Sequence, residues 1–257
     1  MKFVMNFSGG LCSWFAARRL VDRHGPDRVT LLFADTNYED ADLYRFLEEA
    51  SADIGVPITR VADGRTPWDL FFDQKFIGNS RIDICSRVLK RELLDSWCNA
   101  NCDPRHTLMC VGLSHDERGR YLRFKWRMRA RGWRVAAPAM SPPYATKADM
   151  ATALADRGID LPDLYHEGFP HNNCGGRCVK QGQAGWRLLL AKRRESYLEV
   201  EHDEERFRKM TGKNVSIMRD RSGGTTKPLT LRVFREKIEN GQLFTADDWG
   251  GCGCAIE

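Results

Sequence analysis

The chain has 257 residues, of which 42% are hydrophobic and 29% are charged, and its formal net charge is +5. This is enough apolar material for a buried core, so we expect a soluble globular protein with one large domain or a core with a small appendage. No run approaches the roughly 18 apolar residues of a membrane span, and the N-terminus lacks the apolar core and cleavage site of a signal peptide. These absences predict a cytoplasmic protein that does not interact with membranes.

The first predicted elements are a strand over residues 2–7, a Ser-Gly-Gly turn and a helix that begins near Cys12. Glycines at positions 9 and 10 let the backbone approach a ligand closely, so the N–H groups of the first helical turn can point at an anion. Phosphate suits such a turn. The alternative is a strand-to-helix connection that needs glycine only for its backbone angles.

Residues 8–13, SGGLCS, resemble the SGGxDS pyrophosphate loop of the N-type ATP pyrophosphatases. This superfamily includes phosphoadenylylsulfate (PAPS) reductases, the small subunits of ATP sulfurylases and tRNA thiolation enzymes. Cys12 stands where many members carry Asp. The resemblance implies that ATP or another adenylyl nucleotide binds here, accompanied by Mg²⁺. The residues that would hold its phosphates are Ser8, Gly9, Gly10, Leu11, Cys12 and Ser13.

Further strands are predicted over residues 28–34, 57–61, 107–113 and 133–138, with helices between them. Strands that alternate with helices pair in parallel, and their ligands bind at the carboxyl ends of the strands. The predicted fold is therefore α/β, a three-layer sandwich with a parallel, doubly wound sheet. We expect a nucleotide-binding domain over residues 1–140 and a helical and loop region, containing cysteine motifs, over residues 141–257.

Asp35 and Thr36 follow the second predicted strand. In the family that the chain resembles, the aspartate at this position lies near the sugar and base of the nucleotide. The alternative is ordinary helix capping, because the two residues precede a helix predicted over residues 39–54.

Residues 81–90, RIDICSRVLK, resemble a segment of PAPS reductase relatives in which a cysteine precedes a helix with a Leu-Lys pair. The resemblance gives Cys85 a ligand or substrate-contact role and brings Lys90 to the phosphates as a point charge. The alternative for Cys85 is a small buried residue near a helix start.

Residues 112–118, GLSHDER, resemble the GIRxxES segment that follows the matching strand in PAPS reductases, and Glu117 and Arg118 fit it best. Arg120 and Arg123 come next, as candidates for a bidentate grip on phosphate or sulfate. The whole stretch 118–134 is rich in arginine. It predicts either a surface that binds a polyanion such as a nucleic acid or a solvated basic helix.

The chain contains nine cysteines, which without a secretory signal favour reduced, metal-bound or buried thiols over disulfides. Two of them lie four residues apart among glycines, and two more lie in the C-terminal GGCGC sequence. Four thiolates suit a [4Fe–4S] cluster or a structural zinc ion. A redox pair and a flexible tail with unrelated thiols are the alternatives. The predicted ligands are Cys174, Cys178, Cys252 and Cys254, with Cys85 in reserve.

Three functions remain open at this point. The first is a PAPS reductase-like enzyme that acts on an adenylyl compound in sulfur metabolism or sulfur transfer. The second is an ATP-dependent enzyme that adenylates a position in tRNA or DNA and replaces oxygen by sulfur there. The third is a nucleotide-binding redox sensor without enzymatic activity.

Overall fold

The computed structural model describes residues 1–79, 82–221, 224–242 and 248–251. Five parallel strands form one sheet in the order β3-β2-β1-β4-β5, so both neighbours of the central strand are reached by crossover connections. The strands are β1 Lys2–Asn6, β2 Val29–Asp35, β3 Ile58–Ala62, β4 Thr107–Val111 and β5 Arg134–Ala136. The α/β class with a parallel sheet is thus confirmed, and each predicted strand lies within two residues of an observed one.

Helices account for most of the remaining ordered chain. They are α1 Leu11–His24, α2 Ala41–Ile54, α3 Pro67–Gln74, α4 Ile84–Ser86, α5 Leu93–Asn101, α6 Arg118–Arg129, α7 Lys147–Ala155, α8 Asp163–His166, α9 Gln183–Lys192, α10 Arg194–Thr211 and α11 Leu231–Glu239. Between α4 and α5 the backbone is π-helical over Arg87–Glu92, which the sequence did not predict. Among the described residues, no helix is both long enough and apolar enough to cross a membrane.

Successive residues of a strand point to opposite faces of a sheet, and the core follows that rule here. Met5 and Phe33 pack with α1 and α2 on one face. Val4 and Leu32 pack with α5 and α6 on the other. The sheet is therefore covered by helices on both faces.

The apolar clusters cross the predicted boundary at residue 140. Met150 and Leu154 of α7 pack in the same cluster as α1 and α2. A further cluster joins α3 and α4 to α9, α10 and α11. A short antiparallel pair, β6 Met218–Asp220 and β7 Lys227–Leu229, lies in a stretch whose sequence indicated only a loop. The region after residue 140 thus packs closely against residues 1–140.

Candidate nucleotide site

A cavity of about 170 Å³ opens at the carboxyl ends of the central strands, beside the first turn of α1. In parallel α/β sheets this is the edge at which ligands bind. The cavity combines an apolar part with a polar part that includes three cationic side chains. The apolar lining consists of Phe7, Leu11, Leu32, Phe33, Ala34, Leu94, Leu113 and Pro170. The remaining lining residues are Asn6, Ser8, Gly10, Cys12, Ser13, Lys90, Gly112, Glu117, Arg120, Lys147, Tyr165, His171, Asn172 and Asn173.

The turn at residues 8–10 brings backbone and hydroxyl groups to the cavity. Ser13 Oγ accepts from the Gly10 N–H at 3.1 Å and donates to the Gly10 carbonyl at 2.7 Å. A Cβ on Gly10 would lie 3.3 Å from the Tyr165 hydroxyl and 3.6 Å from Ser8 Oγ. Burial raises the pKa of Tyr165 to about 12, although a hydrogen bond from the Leu11 backbone acts in the opposite direction. Gly10 therefore leaves room at the start of α1, beneath a neutral tyrosine hydroxyl.

Gly9 does not line the cavity, although the sequence predicts that both glycines of the turn let the backbone approach a ligand. Its φ of +70° is in the left-handed region, and a Cβ there would lie 2.3 Å from Leu43 Cδ1 in the core. Its carbonyl accepts from Asn172 Nδ2 at 2.9 Å. Gly9 thus fits the turn onto α2 and fixes the segment that contains Asn172, and it is not a lining residue of the cavity.

Gly112, at the end of β4, allows the closest approach at this edge of the sheet. A Cβ at this position would lie 2.3 Å from Ser13 Cα and 2.6 Å from Ser13 N. No side chain fits in that space, so the β4 end and the first turn of α1 can meet only through glycine.

Three cationic side chains line the cavity together with one carboxylate, that of Glu117. Lys90 lies in the π-helical stretch and is 8% exposed. Arg120 pairs with Glu117. Lys147 was not expected here from the sequence, and it lies 3.6 Å from an exposed carboxylate on the rim, that of Asp116. Lys90 also has a carboxylate partner, Glu39, at 3.1 Å, so an anionic ligand would compete with a carboxylate at each of the three cations.

Glu117 and Arg118, which fit the family segment equally well, occupy different environments. The Glu117 carboxylate accepts from Ser114 N at 3.1 Å and Ser114 Oγ at 3.0 Å, and it faces the cavity. Arg118 is exposed at the start of α6 and is not a lining residue. The cationic contribution from α6 to the cavity comes from Arg120 instead.

Cys12 lines the cavity at the position where the resembled family carries Asp. Burial raises the pKa of its thiol, and the nearby Glu117 carboxylate raises that pKa further. A cysteine whose pKa lies above its ordinary value is protonated at neutral pH. This position therefore provides a neutral thiol and not an anionic ligand.

Asp35 and Thr36 end β2 next to the apolar wall but are not lining residues of the cavity. Asp35 is buried, accepts from Asn37 N at 2.7 Å and the Tyr44 hydroxyl at 3.0 Å, and pairs with Arg60 at 2.6 Å. Asp35 therefore orders the turn between β2 and α2. The N-terminal cap of α2 is a later residue, Asp40.

Glu39, which no sequence pattern singled out, accepts hydrogen bonds from several predicted site residues. Its Oε1 accepts from Lys90 Nζ at 3.1 Å and from Thr36 Oγ1 at 3.0 Å, while its Oε2 accepts from Cys174 N at 2.6 Å. The carboxylate is buried and its side chain is 2% exposed. Glu39 thus joins the Lys90 wall of the cavity to the first cysteine of the 174–178 segment.

The 174–178 segment begins with three successive left-handed residues, because φ is 54° at Cys174, 58° at Gly175 and 74° at Gly176. Cys174 is the costly member, since a non-glycine residue rarely adopts that conformation. Cys174 and Cys178 are both buried. Cys85 is also buried, in the cluster that contains Leu164 and Val179, and it is not a lining residue of the cavity.

Cys252 and Cys254, the other two predicted metal ligands, lie outside the described residues. Within the described ranges, no three His, Cys, Asp or Glu side chains are grouped so that they could hold a metal ion. The C-terminal segment 248–251 nevertheless docks just beyond Cys178. Asp248 O accepts from Ala184 N at 2.8 Å, and Gly251 N donates to Lys180 O at 3.3 Å.

The structure therefore brings together residues 8 and 10–13 of the predicted loop with Lys90 and Glu117. It adds Lys147, Tyr165 and Asn172, which no sequence pattern had singled out. No protein-family model matches the chain, and no curated protein is significantly similar to it in sequence.

Proposed function

We propose that this chain is an enzyme that binds ATP or a related adenylyl nucleotide in the cavity beside α1. It acts there on an adenylyl compound in sulfur metabolism or sulfur transfer, as a PAPS reductase-like member of the N-type ATP pyrophosphatases. One observation carries the proposal: residues of the SGG turn at the start of α1, three cationic side chains and an apolar wall line the same cavity. Helices on both faces of the sheet support the finer interpretation of the fold as a doubly wound, three-layer sandwich.

The two parts of the cavity suit the two ends of such a nucleotide. Phosphates belong at the Gly10 end, where the α1 dipole and the Ser8 hydroxyl favour an anion. The base belongs against the apolar wall formed by the end of β2, where Phe33 and Ala34 lie. Asp35 would support the base region indirectly, because it orders the turn that follows this wall.

The cations define the chemistry that the site favours. When a bond to the α-phosphate or to a phosphate-linked sulfur breaks, negative charge grows on the leaving oxyanion. Lys90, Arg120 and Lys147 surround the space where that charge would develop and would stabilise it. Glu39 holds the Lys90 ammonium in place.

Mg²⁺ accompanies the nucleotide in the resembled family, but the donors in this cavity fit it poorly. The aspartate position is a neutral Cys12 thiol, and Glu117 already pairs with Arg120. A bound ion would depend on phosphate oxygens and water for its ligands. We assign no catalytic step to it. The proposed four-cysteine [4Fe–4S] or zinc centre likewise depends on Cys252 and Cys254, and no step is assigned to it.

Calorimetric titration with ATP, using a Gly10→Ala variant, tests the binding half of the proposal. Gly10 has φ −102°, which alanine adopts freely, so the change adds a methyl group to the turn without backbone strain. We expect at least tenfold weaker ATP binding with an unchanged melting temperature. Gly119→Ala, on the exposed face of α6, is the matched control. Equal affinity in the wild type and Gly10→Ala would refute the assignment of the loop.

Turnover tests the other half. The protein is incubated with ATP, or with adenylyl sulfate and a dithiol as the two-electron reductant, and the release of pyrophosphate, AMP or sulfite is measured. Product in either reaction that disappears in Arg120→Ala supports the enzyme. Nucleotide binding without any product, alone or with added nucleic acid, would leave the redox sensor as the function.

A further inference from the structure

The surface beside the cavity exposes large side chains that the nucleotide site does not use. Trp126 is 73% exposed, Tyr144 is 65% exposed and Leu122 is 40% exposed. His115 packs edge-on against Tyr144, with ring centroids 5.3 Å apart and an interplanar angle of 74°. Contact with a partner would remove the large apolar ring of Trp126 from water, which is energetically favourable.

These residues form a strip: Leu122 and Trp126 lie on α6, His115 lies on the turn that precedes it, and Tyr144 joins them from the segment before α7 through its contact with His115. With 3.6 residues per turn, Leu122, Trp126 and Arg129 fall within one narrow stripe of the helix surface. The opposite face of α6 is buried through Phe124 and Met128. The stripe runs about 16 Å between Arg118 and Arg129 at a rise of 1.5 Å per residue.

The charge of this strip is positive, although part of the arginine-rich stretch is neutralised. Arg127 and Arg131 both pair with Asp95 on α5. Arg118 and Arg129 are exposed and form no ion pair with a residue in the described part of the chain. Arg118 and Arg129, at the two ends of α6, therefore offer their charge to a partner.

The strip leads into the nucleotide cavity. Lys147 lines the cavity and also an outer groove that it shares with His115, Asp116, Tyr144 and Thr146. Arg120 extends from α6 to the cavity lining. A molecule lying along α6 would therefore reach the cavity mouth at Tyr144 and Lys147.

We infer that this strip, which consists of His115, Arg118, Leu122, Trp126, Arg129 and Tyr144, binds single-stranded nucleic acid. Phosphates pair with the arginines, and unpaired bases stack on the exposed rings of Trp126 and Tyr144. A single strand fits better than a duplex, because stacked and paired bases offer no free faces to these rings. The further step, in which one nucleotide enters the cavity as the acceptor, rests on the proposed function.

Fluorescence anisotropy with a labelled single-stranded oligonucleotide, and with its duplex, tests the inference. We expect binding of the single strand that weakens steeply as salt rises, and weaker binding of the duplex. Trp126→Ala should reduce the affinity for the single strand at least fivefold. Arg118→Ala/Arg129→Ala should reduce affinity and also flatten the salt dependence.

Two variants serve as matched controls and should retain the wild-type affinity. Trp249→Ala removes another exposed tryptophan, which is 39% exposed on the C-terminal segment. Arg105→Ala removes an exposed arginine that precedes β4, at the end of the sheet opposite the cavity.

The outcomes separate the inference from the proposed function. Absence of oligonucleotide binding at low salt, or unchanged binding in Trp126→Ala, overturns the inference even if ATP binds. Binding to anionic phospholipid vesicles in place of the oligonucleotide overturns it in favour of a membrane surface. Oligonucleotide binding without ATP binding supports the strip and contradicts the proposed function instead.

Discussion

The Glu39–Lys90 pair allows a test of how the cavity wall is held together. The two side chains are 2% and 10% exposed, and their charged atoms lie 3.1 Å apart. Lys90→Met keeps most of the side-chain length but leaves the Glu39 carboxylate buried without its cation. Removing one partner of a buried ion pair costs about 3–5 kcal/mol, because the remaining charge stays desolvated.

Glu39→Gln should also destabilise the protein, for a second reason. The Glu39 Oε2 atom accepts from Cys174 N at 2.6 Å, and an amide NH₂ in that position would face an N–H donor. The 174–176 turn would then lose the contact that anchors its left-handed first residue. The double variant Glu39→Gln/Lys90→Met removes both charges, so its loss of stability should be smaller than the sum of the two single losses.

Urea unfolding of the four proteins, followed by tryptophan fluorescence, measures this coupling. We expect a coupling free energy above about 1 kcal/mol, since residues in contact deviate from additivity by that order. ATP titration adds an independent readout. Lys90→Met should weaken binding, whereas Glu39→Gln keeps the ammonium and should bind ATP at least as tightly as the wild type. Additive losses of stability to within about 0.5 kcal/mol would refute the ion pair as the support of the wall.

Two further variants test the packing around the site and in the C-terminal region. Gly112→Ala should lower the melting temperature markedly, because the new Cβ would lie 2.3 Å from Ser13 Cα; Gly119→Ala should not lower it. Burial raises the pKa of Glu204 to about 7, so the protonated form is favoured in the folded state and stability falls as pH rises through this value. Between pH 5 and pH 8 the free energy of unfolding should fall by about 2 kcal/mol for this reason. Glu204→Gln should be less stable at every pH but should lack this fall. The same pH dependence in Glu204→Gln and the wild type would contradict the titration of Glu204.

The fold could be predicted because its signals are local. β1, β2 and β4 are largely buried apolar runs, and α2, α3, α7 and α11 each begin at a residue whose side chain caps the helix. At the start of α11, for example, Thr230 Oγ1 accepts from Val233 N at 3.3 Å. The strands β6 and β7 have three residues each, which is too short for an alternating pattern to register.

The site could be predicted only where it follows directly from the strand order. Residues 8 and 10–13 and Glu117 reach the cavity because they follow β1 and β4, which are neighbours in the sheet. Arg118 was predicted from its match to the family segment, and Arg120 was one of two arginines predicted to grip phosphate or sulfate from the helix that follows. Side chains two positions apart on an α-helix point in directions about 200° apart, so Arg120 faces the cavity and Arg118 faces solvent.

Lys147, Tyr165 and Asn172 could not have been found in the same way. They lie on the segment that follows β5 and reaches residues 8–13, and its path is fixed by tertiary contacts. Glu39 was missed because the sequence pattern marked it only as the first residue of the helix predicted over residues 39–54. Its partners, Lys90 and Cys174, are 51 and 135 residues away along the chain.

The predicted four-cysteine centre can be tested through the docked segment that precedes Cys252. Asp248 accepts from the first turn of α9, and a Cβ on Gly182 would lie 2.2 Å from Asp248 O, so Gly182→Ala should displace residues 248–251. If one metal centre joins Cys174 and Cys178 to the C-terminal cysteines, displacement should release iron or zinc as Cys174→Ala does, because a metal closes such a segment onto the domain. Cys98→Ala, which removes a buried thiol in the cluster on the other face of the sheet, should keep the wild-type metal content. The metal content is measured on protein prepared without oxygen, and full iron or zinc occupancy in Cys174→Ala would refute the centre. Loss of metal in Cys174→Ala but not in Gly182→Ala would place the metal at the 174–178 segment without the C-terminal cysteines.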